Sequence, residues 1–186
     1  MNTTTWQGVL ALPVSPTRDH IRGPVNAPVT LVEYGDYECP YCGAAHVVVN
    51  ELLARSGDDL RFVFRNFPLT NIHPHAELAA EAAEAAGAQG KFWEMHDILY
   101  ENQQRLEVPH LMAYAEELEL DTDRFATELA QHVYAQRVIE DFVSGARSGV
   151  HGTPAFYING VRHDGSWDLP HLLAAVERAA GARVRA

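Results

Sequence analysis

Cys39 and Cys42 are the only cysteines of the chain, and the dipeptide Pro40-Tyr41 separates them. A cross-link over so short a span closes too small a loop to stabilise a fold, whereas the spacing suits a redox couple or half of a metal site. A strand-like run precedes the pair and a helical run follows it, so the cysteines lie at the first turn of a helix. The unpaired N–H groups of such a turn stabilise a thiolate. Spacing and position together favour thiol-disulfide exchange.

The order of the two cysteines along that turn gives them different roles. The start of a helix lowers the pKa of the first cysteine, and Pro40 suits this turn because a proline has no N–H to leave unpaired. Two intervening residues place both sulfurs on the same side of the turn. We predict that Cys39 is the exposed nucleophile and that Cys42 is the buried resolving thiol, which attacks a mixed disulfide formed at Cys39.

A metal site is the competing interpretation of the cysteine pair. His73 and His75 could join Cys39 and Cys42 as two imidazoles and two thiolates. Zinc modules separate their histidines by about three to five residues, whereas one residue separates these two. We therefore predict no metal and no other cofactor, and expect His73 and His75 to end the second strand and begin a helical block. A redox sensor or a zinc-binding protein that uses the same cysteine pair is the alternative function.

Two further side chains are candidates for supporting roles. Glu33 precedes Cys39 by six residues in a run of Val, Leu and Tyr. Burying a carboxylate there raises its pKa, so Glu33 could exchange protons with Cys42, although a glutamate at a strand end could also reach solvent. His151 lies two residues before Thr153 and could support the thiolate electrostatically from the rim of the site. Its alternative is a solvated loop histidine.

The elements that must position these residues follow from hydrophobic periodicity and turn residues. The pattern predicts a β-α-β opening, then a long all-helical stretch, then a β-hairpin and a closing helix. Asn159-Gly160 is the turn of that hairpin. The predicted strands cover 29–34, 60–67, 155–158 and a partner from 161, and the predicted helices cover 42–54, 75–87, 91–104, 108–120, a segment after 121–123, 133–148 and 169–180.

Length and charge narrow the classes of partner. The 186 residues fit one compact core, and 14 basic against 25 acidic side chains leave a net charge of −11. Such a balance opposes binding to nucleic acid or to an anionic membrane. No run of about 18 apolar residues is present, and no basic segment precedes the short apolar run near the start. We therefore expect a cytoplasmic protein without nucleic-acid or membrane partners. The sequence does not predict an oligomeric state.

Motifs near both ends of the chain resemble those of the thioredoxin superfamily, and specifically of its DsbA-like branch. The first motif runs from Glu33 to Cys42 and reads EYGDYECPYC, and the second is Gly152-Thr153-Pro154. The resemblance spans about residues 29–180. It implies a thiol-disulfide oxidoreductase with protein thiol or disulfide substrates and a thiol reductant or oxidant as partner, glutathione being one candidate. It also implies a cis Thr153–Pro154 bond beside the cysteines, which would turn the backbone of Thr153 towards an extended substrate.

The resemblance also implies the fold class and the division of the chain. The fold is an α/β thioredoxin-like one, a central mixed β-sheet flanked by helices with an inserted all-helical subdomain. Residues 29–74 and 150–186 form the thioredoxin-like core, and residues 75–149 form the insertion. Residues 1–28 form a proline-rich leader with at most a short edge strand near residues 9–12.

Some residues depart from the pattern of the family. Relatives often pair the buried acid with a lysine on the neighbouring strand, whereas the corresponding strand here offers Arg61 and Arg65. Glu38 places a negative charge next to Cys39, which would raise its pKa. The dipeptide Pro40-Tyr41 is the one familiar from glutaredoxins, which makes a glutathione-linked reductase a further alternative. Both features predict a couple less oxidising than that of periplasmic DsbA.

Overall fold

The computed structural model of the protein describes residues 8–183, which form five strands and seven α-helices. The strands are β1 (His20–Arg22), β2 (Val29–Gly35), β3 (Leu60–Asn66), β4 (Ala155–Ile158) and β5 (Val161–Arg162). The helices are α1 (Pro40–Ser56), α2 (Ala76–Gly87), α3 (Phe92–Glu101), α4 (Val108–Glu117), α5 (Thr122–Ala130), α6 (Ala135–Arg147) and α7 (Leu169–Arg183).

The strands form one mixed sheet in the order β1-β3-β2-β4-β5. β2 and β3 are parallel neighbours, as a strand-helix-strand unit requires, and the other pairs are antiparallel. Asn159 and Gly160 have φ of 49° and 84°, so both central residues of the β4–β5 turn adopt the left-handed conformation that a tight hairpin needs. The fold class predicted from the sequence is confirmed.

The two faces of the sheet bury different sets of side chains because alternate residues of a strand point in opposite directions. Leu31 and Phe64 belong to the large core beneath α1, α3 and α7, whereas Val32 and Tyr34 belong to a smaller core on the opposite face. Glu33 and Gly35 therefore share the large-core face of β2 with Leu31, and Arg65 of β3 points to the other face.

Helices α2 to α6 lie in sequence between β3 and β4, where the long helical stretch was predicted. The helix ends differ from the predicted ones by a few residues, and Asp121 caps α5 by accepting a hydrogen bond from the backbone N–H of Arg124 (3.0 Å). All the alanines of α2 are buried, which allows the other helices of this stretch to pack closely around it.

The leader contains a strand at a position that the sequence did not predict. Within residues 9–12 only Val9 forms a bridge, to Val161, whereas the three-residue β1 pairs with β3. Side chains rather than strand propensity hold β1 in place. Asp19 is bound to the buried Arg65, and the His20 ring contacts the Glu84 carboxylate at 2.8 Å.

Candidate active site

The two cysteines lie where the sequence places them, at the start of α1. Cys39 is the N-cap residue, with φ −74° and ψ 120°, and Pro40 is the first helical residue. Cys42 is completely buried, and Cys39 is only 4% exposed. The prediction that Cys39 is exposed was wrong, because its sulfur is covered by Cys42 and by the loop of Thr153. Tyr41, between the cysteines, is 67% exposed.

Cys39 has the electrostatic environment of a thiolate. The Cys42 thiol makes the largest contribution by donating to the Cys39 sulfur, and Thr153 and the backbone N–H groups of Tyr41 and Cys42 add to it. These contacts outweigh the cost of burial and lower the pKa of Cys39 to about 5. As a thiol, Cys39 donates instead to the carbonyl oxygen of Thr153 at 3.5 Å. Cys42 is the opposite case, since burial raises the pKa of its thiol well above the ordinary value.

Glu38 does not oppose the Cys39 thiolate in the way that the sequence predicted. Its carboxylate accepts hydrogen bonds from the backbone N–H of His75 (2.7 Å) and contacts the Nδ1 of the same residue (2.9 Å). The Glu38 side chain is therefore bound to the start of the insertion. The expected opposing effect of Glu38 is not among the main causes that set the pKa of Cys39, which hydrogen bonds to the sulfur lower, as the start of a helix predicts.

Asp36 organises the turn that leads into the cysteines, and the sequence did not single it out. Its carboxylate accepts from the backbone N–H groups of Glu38 and Leu69, both at 2.8 Å, and contacts the Nδ1 of His73 at 2.8 Å. Its carbonyl oxygen also accepts from the N–H of Cys39. An Asp three residues before a helix-capping cysteine is a weak signal, because its distant partners do not show in the sequence.

Gln103, which follows α3, is a second contact that sequence reasoning missed. Its side-chain amide donates to the carbonyl oxygens of Tyr37 (2.9 Å) and Cys39 (2.8 Å). A Cβ at residue 43 would overlap the Gln103 side chain, so Gly43 is needed for this approach. The insertion therefore holds the backbone of Cys39.

Glu33 is buried beneath the cysteine pair, with 2% of its surface exposed. Burial and the nearby Cys39 raise its pKa to about 8. Its Oε1 atom has no hydrogen-bond partner among the described residues. In turn, the charge of Glu33 raises the pKa of Cys42. The carboxyl group can thus hold or accept a proton close to the resolving thiol near neutral pH.

Neither of the two arginines named from the sequence reaches Glu33. Its neighbours in register across the sheet are Phe64 and Phe156. Arg61 donates to the hydroxyl of Thr30 and to a leader carbonyl, and Arg65 points to the opposite face of the sheet. Neither arginine therefore takes the place of the lysine that relatives often pair with this acid.

The remaining predicted residues lie on the loop before β4. The Thr153–Pro154 peptide bond is cis. The Thr153 hydroxyl is buried, and its contribution to the low pKa of Cys39 places it at that sulfur. His151 is exposed, and the groups that lower the pKa of Cys39 do not include its ring. The structure thus places Thr153 at the Cys39 sulfur and leaves His151 in solvent.

The cluster of metal-ligand type in the described part of the chain does not include the cysteines. His46, His96 and Asp97 bring one possible ligand atom each to within 4.8 Å of one another. The guanidinium of Arg22 binds the Asp97 carboxylate at 2.7 Å, which sets a fixed positive charge beside it. This charge disfavours a divalent cation. The His73 and His75 rings, for their part, are engaged by Asp36 and Glu38.

Comparison with protein families gives a match over most of the chain. A family model described as "Thioredoxin" matches residues 15–178. Two curated relatives are a Na(+)/H(+) antiporter NhaA 1 of Salinispora arenicola, 54% identical over 95% of this chain, and an NhaA of Herminiimonas arsenicoxydans, 46% identical over 91%. The chain spans only 27% of the length of each of these relatives.

Solved structures with the same fold cover nearly the whole chain. Oxidised BdbD of Bacillus subtilis has a TM-score of 0.81 at 23% identity, covering 90% of this chain and 95% of that one. A thioredoxin-like oxidoreductase of Silicibacter pomeroyi has a TM-score of 0.78 at 26% identity, covering 93% and 96%. Alpha-DsbA1 of Wolbachia pipientis has a TM-score of 0.81 at 19% identity, covering 96% and 98%.

Proposed function

This chain belongs to the thioredoxin family and has the fold of its DsbA-like branch, and from this premise we propose that it is a thiol-disulfide oxidoreductase acting on protein substrates. The observation that carries the proposal is that two neighbouring thiols at the start of α1 have pKa values shifted in opposite directions. The pKa of Cys39 is lowered to about 5, so it is a thiolate at neutral pH, whereas Cys42 is buried and keeps its proton. An attacking and a resolving thiol require this difference.

The reaction takes place in two exchanges. The Cys39 thiolate attacks one sulfur of a substrate disulfide, the substrate S–S bond breaks, and the departing substrate thiolate takes a proton from water. Cys42 then gives its proton to the Glu33 carboxylate and attacks the Cys39 sulfur. The Cys39–Cys42 disulfide forms and the second substrate thiolate leaves. Two electrons pass from the cysteine pair to the substrate, and a thiol reductant restores the pair. The same steps in reverse oxidise a substrate dithiol.

An extended protein segment is the substrate that the surroundings of Cys39 suit. The sulfur lies against the carbonyl of Thr153, on a loop that leads into a strand. An extended chain can pair with backbone groups at such a position as it would with the edge of a sheet. The exposed Tyr41 ring offers an apolar contact beside the nucleophile.

The lowered pKa also bears on the redox potential. A more stable thiolate stabilises the reduced couple and makes its disulfide more oxidising. The pKa of about 5 for Cys39 lies between the values of about 7 for thioredoxin and about 3.5 for DsbA. We therefore propose a potential between about −270 and −120 mV, the values of those two proteins.

A reducing compartment is part of the proposal. The chain contains no cysteine besides the active pair, so it uses no structural disulfide of its own. In the cytoplasm the couple would rest as the dithiol and would mainly reduce or isomerise substrates. Alkylation of the two thiols in rapidly quenched cells would report the resting state, and a fully oxidised pair would contradict a reducing role.

The name of the curated relatives describes cation transport, which we do not transfer to this chain. No helix within residues 8–183 combines the length and apolarity that crossing a membrane requires. The matched segment is about a quarter of those proteins. We propose that in each relative this segment is a thiol-disulfide module and that transport belongs to the rest of the protein.

Substitution of each cysteine tests the proposal. In Cys42→Ser a disulfide-containing peptide should become trapped on Cys39 as a stable mixed disulfide, whereas Cys39→Ser should trap none. Insulin reduction should be lost in both variants. Equal activity of Cys39→Ser and the unsubstituted protein would overturn the proposal. Stoichiometric zinc on protein purified without chelator would favour the zinc-binding alternative, and faster turnover of glutathione mixed disulfides than of peptides would favour the glutaredoxin-like one.

A further inference from the structure

Tyr100, near the end of α3, carries a buried hydroxyl group that none of the interactions described above explains. Its side chain is almost fully buried, and its hydroxyl oxygen has no hydrogen-bond partner among the described residues. An unpaired buried hydroxyl is costly, so its presence calls for a reason. The Oε1 atom of Glu33 is buried and unpaired in the same core.

The sheet brings these two groups to one place. Glu33 and Gly35 are two residues apart on β2, so they face the same side, with about 7 Å between their Cα atoms. The Tyr100 hydroxyl lies directly against Gly35, where a Cβ would come within 2.7 Å of its oxygen. The hydroxyl therefore lies about two residue spacings along β2 from Glu33, a distance that a glutamate side chain extending along the strand can bridge.

Gly35 makes this approach possible. Any side chain at residue 35 would collide with the ring of Phe64 as well as with the Tyr100 hydroxyl. Because residue 35 has no side chain, the Tyr100 hydroxyl can contact the backbone of β2 there. Consistent with proximity, the charges of Cys42 and Glu33 both raise the pKa of Tyr100, after burial as the first cause.

We propose that Tyr100 is a positioning residue of the exchange reaction, whose hydroxyl donates a hydrogen bond to the Glu33 carboxylate in the step where Cys42 loses its proton. The inference rests on the proposed function. It gives the buried acid a neutral donor from the helical insertion, whereas Arg61 and Arg65 bind other groups.

The proton balance of the resolving step explains why a donor is needed. Before the step Cys42 is a thiol, and the proton acceptor is the Glu33 carboxylate. Afterwards the proton is on Glu33, and the Cys42 sulfur is bonded to Cys39. Glu33 can act only in its ionised form, which burial disfavours. A phenol O–H that donates to the carboxylate favours that form, and the phenol keeps its own proton because burial raises its pKa well above the ordinary value.

Other ionisable groups surround the Tyr100 hydroxyl and Glu33. The His46 ring of α1 stacks on the Tyr100 ring, and the His96 ring of α3 packs edge-on against it. Cys39 and Cys42 lie at the start of α1, and the charges of Tyr37 and Asp36, on the turn between β2 and α1, also act on Tyr100. α7 contributes the apolar Leu172 and Val176 to the same core. Cationic side chains do not figure among the causes that shift Glu33 or Tyr100.

A quench-flow experiment with a disulfide peptide at pH 7 separates the two exchanges, and it should be run on the unsubstituted protein, Tyr100→Phe, Glu33→Gln and the double variant. Tyr100→Phe should form the Cys39 mixed disulfide at the normal rate and resolve it about tenfold more slowly, the effect of one hydrogen bond to a charged group. In the Glu33→Gln background Tyr100→Phe should add less than about a twofold change. Tyr114→Phe is the matched control, since its hydroxyl donates to the Arg105 carbonyl elsewhere in the insertion.

The outcomes separate the inference from the function on which it rests. Absence of the mixed disulfide in the unsubstituted protein would overturn the proposed function and this inference with it. A normal first step with unaltered resolution in Tyr100→Phe, or equal slowing in both backgrounds, would overturn this inference alone. If Tyr100→Phe does not fold, 3-fluorotyrosine at residue 100 keeps the shape and donates more strongly. It should lower the pKa of Glu33 in a carbon-13 carboxyl titration, and an unchanged pKa would overturn the inference.

Discussion

Glu33 and Arg65 are buried charges on neighbouring strands that face opposite sides of the sheet, and their surroundings differ completely. Arg65 is 0% exposed, and its guanidinium makes five hydrogen bonds. Two go to the Asp19 carboxylate, one to the Tyr34 hydroxyl and two to leader carbonyls. Glu33 is 2% exposed and has an unpaired carboxyl oxygen. On one face of the sheet the Arg65 guanidinium is fully hydrogen-bonded. On the other face the Glu33 carboxyl group has an oxygen without a partner.

This difference distinguishes Arg65, whose charge serves the structure, from Glu33, the acid to which we assign a role in the proposed exchange. A buried ion pair with complete hydrogen bonding keeps its ionised state, and the pKa of Arg65 is raised accordingly, since its bonds to Asp19 and Tyr34 outweigh the effect of burial. A buried acid without a cation can change protonation near neutral pH, as the pKa of about 8 for Glu33 shows. Strongly perturbed groups of this second kind cluster at active sites.

The face of the sheet that carries Arg65 also attaches the leader. Arg18 bridges Asp19 and Asp141, and Asp141 accepts in turn from the backbone of Asn66 and binds Arg137. The leader, β3 and α6 therefore meet in one network of balanced charges. A network of this kind contributes to stability only while each member keeps its partners.

The largest effect that we expect is a loss of stability when the Arg65 charge is removed. Arg65→Met leaves the Asp19 carboxylate buried without its main partner and should cost about 3–5 kcal/mol of unfolding free energy. Arg61→Met is the matched control on the same strand, because Arg61 is less buried and should cost less than about 1 kcal/mol. Urea unfolding of both variants measures the difference, and equal losses would contradict the structural role of Arg65.

Removal of the Glu33 carboxyl group should raise the unfolding free energy instead of lowering it, and the size of this increase should depend on pH. The pKa of Glu33 is raised from 4.5 to about 8 by folding, so the native state is penalised as the pH rises through this window. Glu33→Gln should match the unsubstituted protein in stability at pH 4 and exceed it by a few kcal/mol at pH 9, at about 1.4 kcal/mol per pKa unit. Unfolding in reductant at both pH values measures this. A stability difference that does not change with pH would show that Glu33 is not a titrating buried acid.

Asp36 is a buried acid whose carboxylate is hydrogen-bonded, unlike that of Glu33. Its partners are backbone N–H groups and a histidine ring, and not an arginine. Asp36→Asn turns an amide N–H towards groups that themselves donate, and should cost about 1–3 kcal/mol. Asp58→Asn, on an exposed turn after α1, should change stability by less than about 0.5 kcal/mol. Thermal and urea unfolding measure both. A loss as small in Asp36→Asn as in Asp58→Asn would remove Asp36 from the supports of the active-site turn.

The smallest effect expected concerns the charge next to the nucleophile. Glu38 is bound to His75, so Glu38→Gln should move the pKa of Cys39 from its value of about 5 by less than about 0.5 unit. Thiolate absorbance at 240 nm against pH measures this pKa. A decrease of a full unit on substitution would restore the sequence-based prediction that Glu38 opposes the thiolate.

Local patterns in the sequence predicted most of the fold and the position of the cysteine pair at the start of a helix. Strand composition, helical periodicity and the Asn159-Gly160 turn depend on neighbouring residues, and so does the start of a helix at Cys39. The buried position of Glu33 could be predicted too, because its strand is otherwise apolar on both sides of it.

The contacts that the sequence did not reveal join residues far apart in the chain. β1 depends on Asp19 reaching Arg65, and the active-site turn depends on Asp36 reaching His73. The burial of Cys39 depends on a loop more than a hundred residues away, and the amide of Gln103 is a contact of the same kind. None of these pairs has a fixed spacing, so no motif records it.

The measurement that tests the central claim most directly is the pH dependence of the resolving step, followed as release of peptide from the Cys39 mixed disulfide. With Glu33 as proton acceptor, the rate in the unsubstituted protein should rise with pH through an apparent pKa near 8, and Glu33→Gln should be slower and lack this transition. Superimposable rate profiles for the two proteins would contradict the role of Glu33 in the exchange.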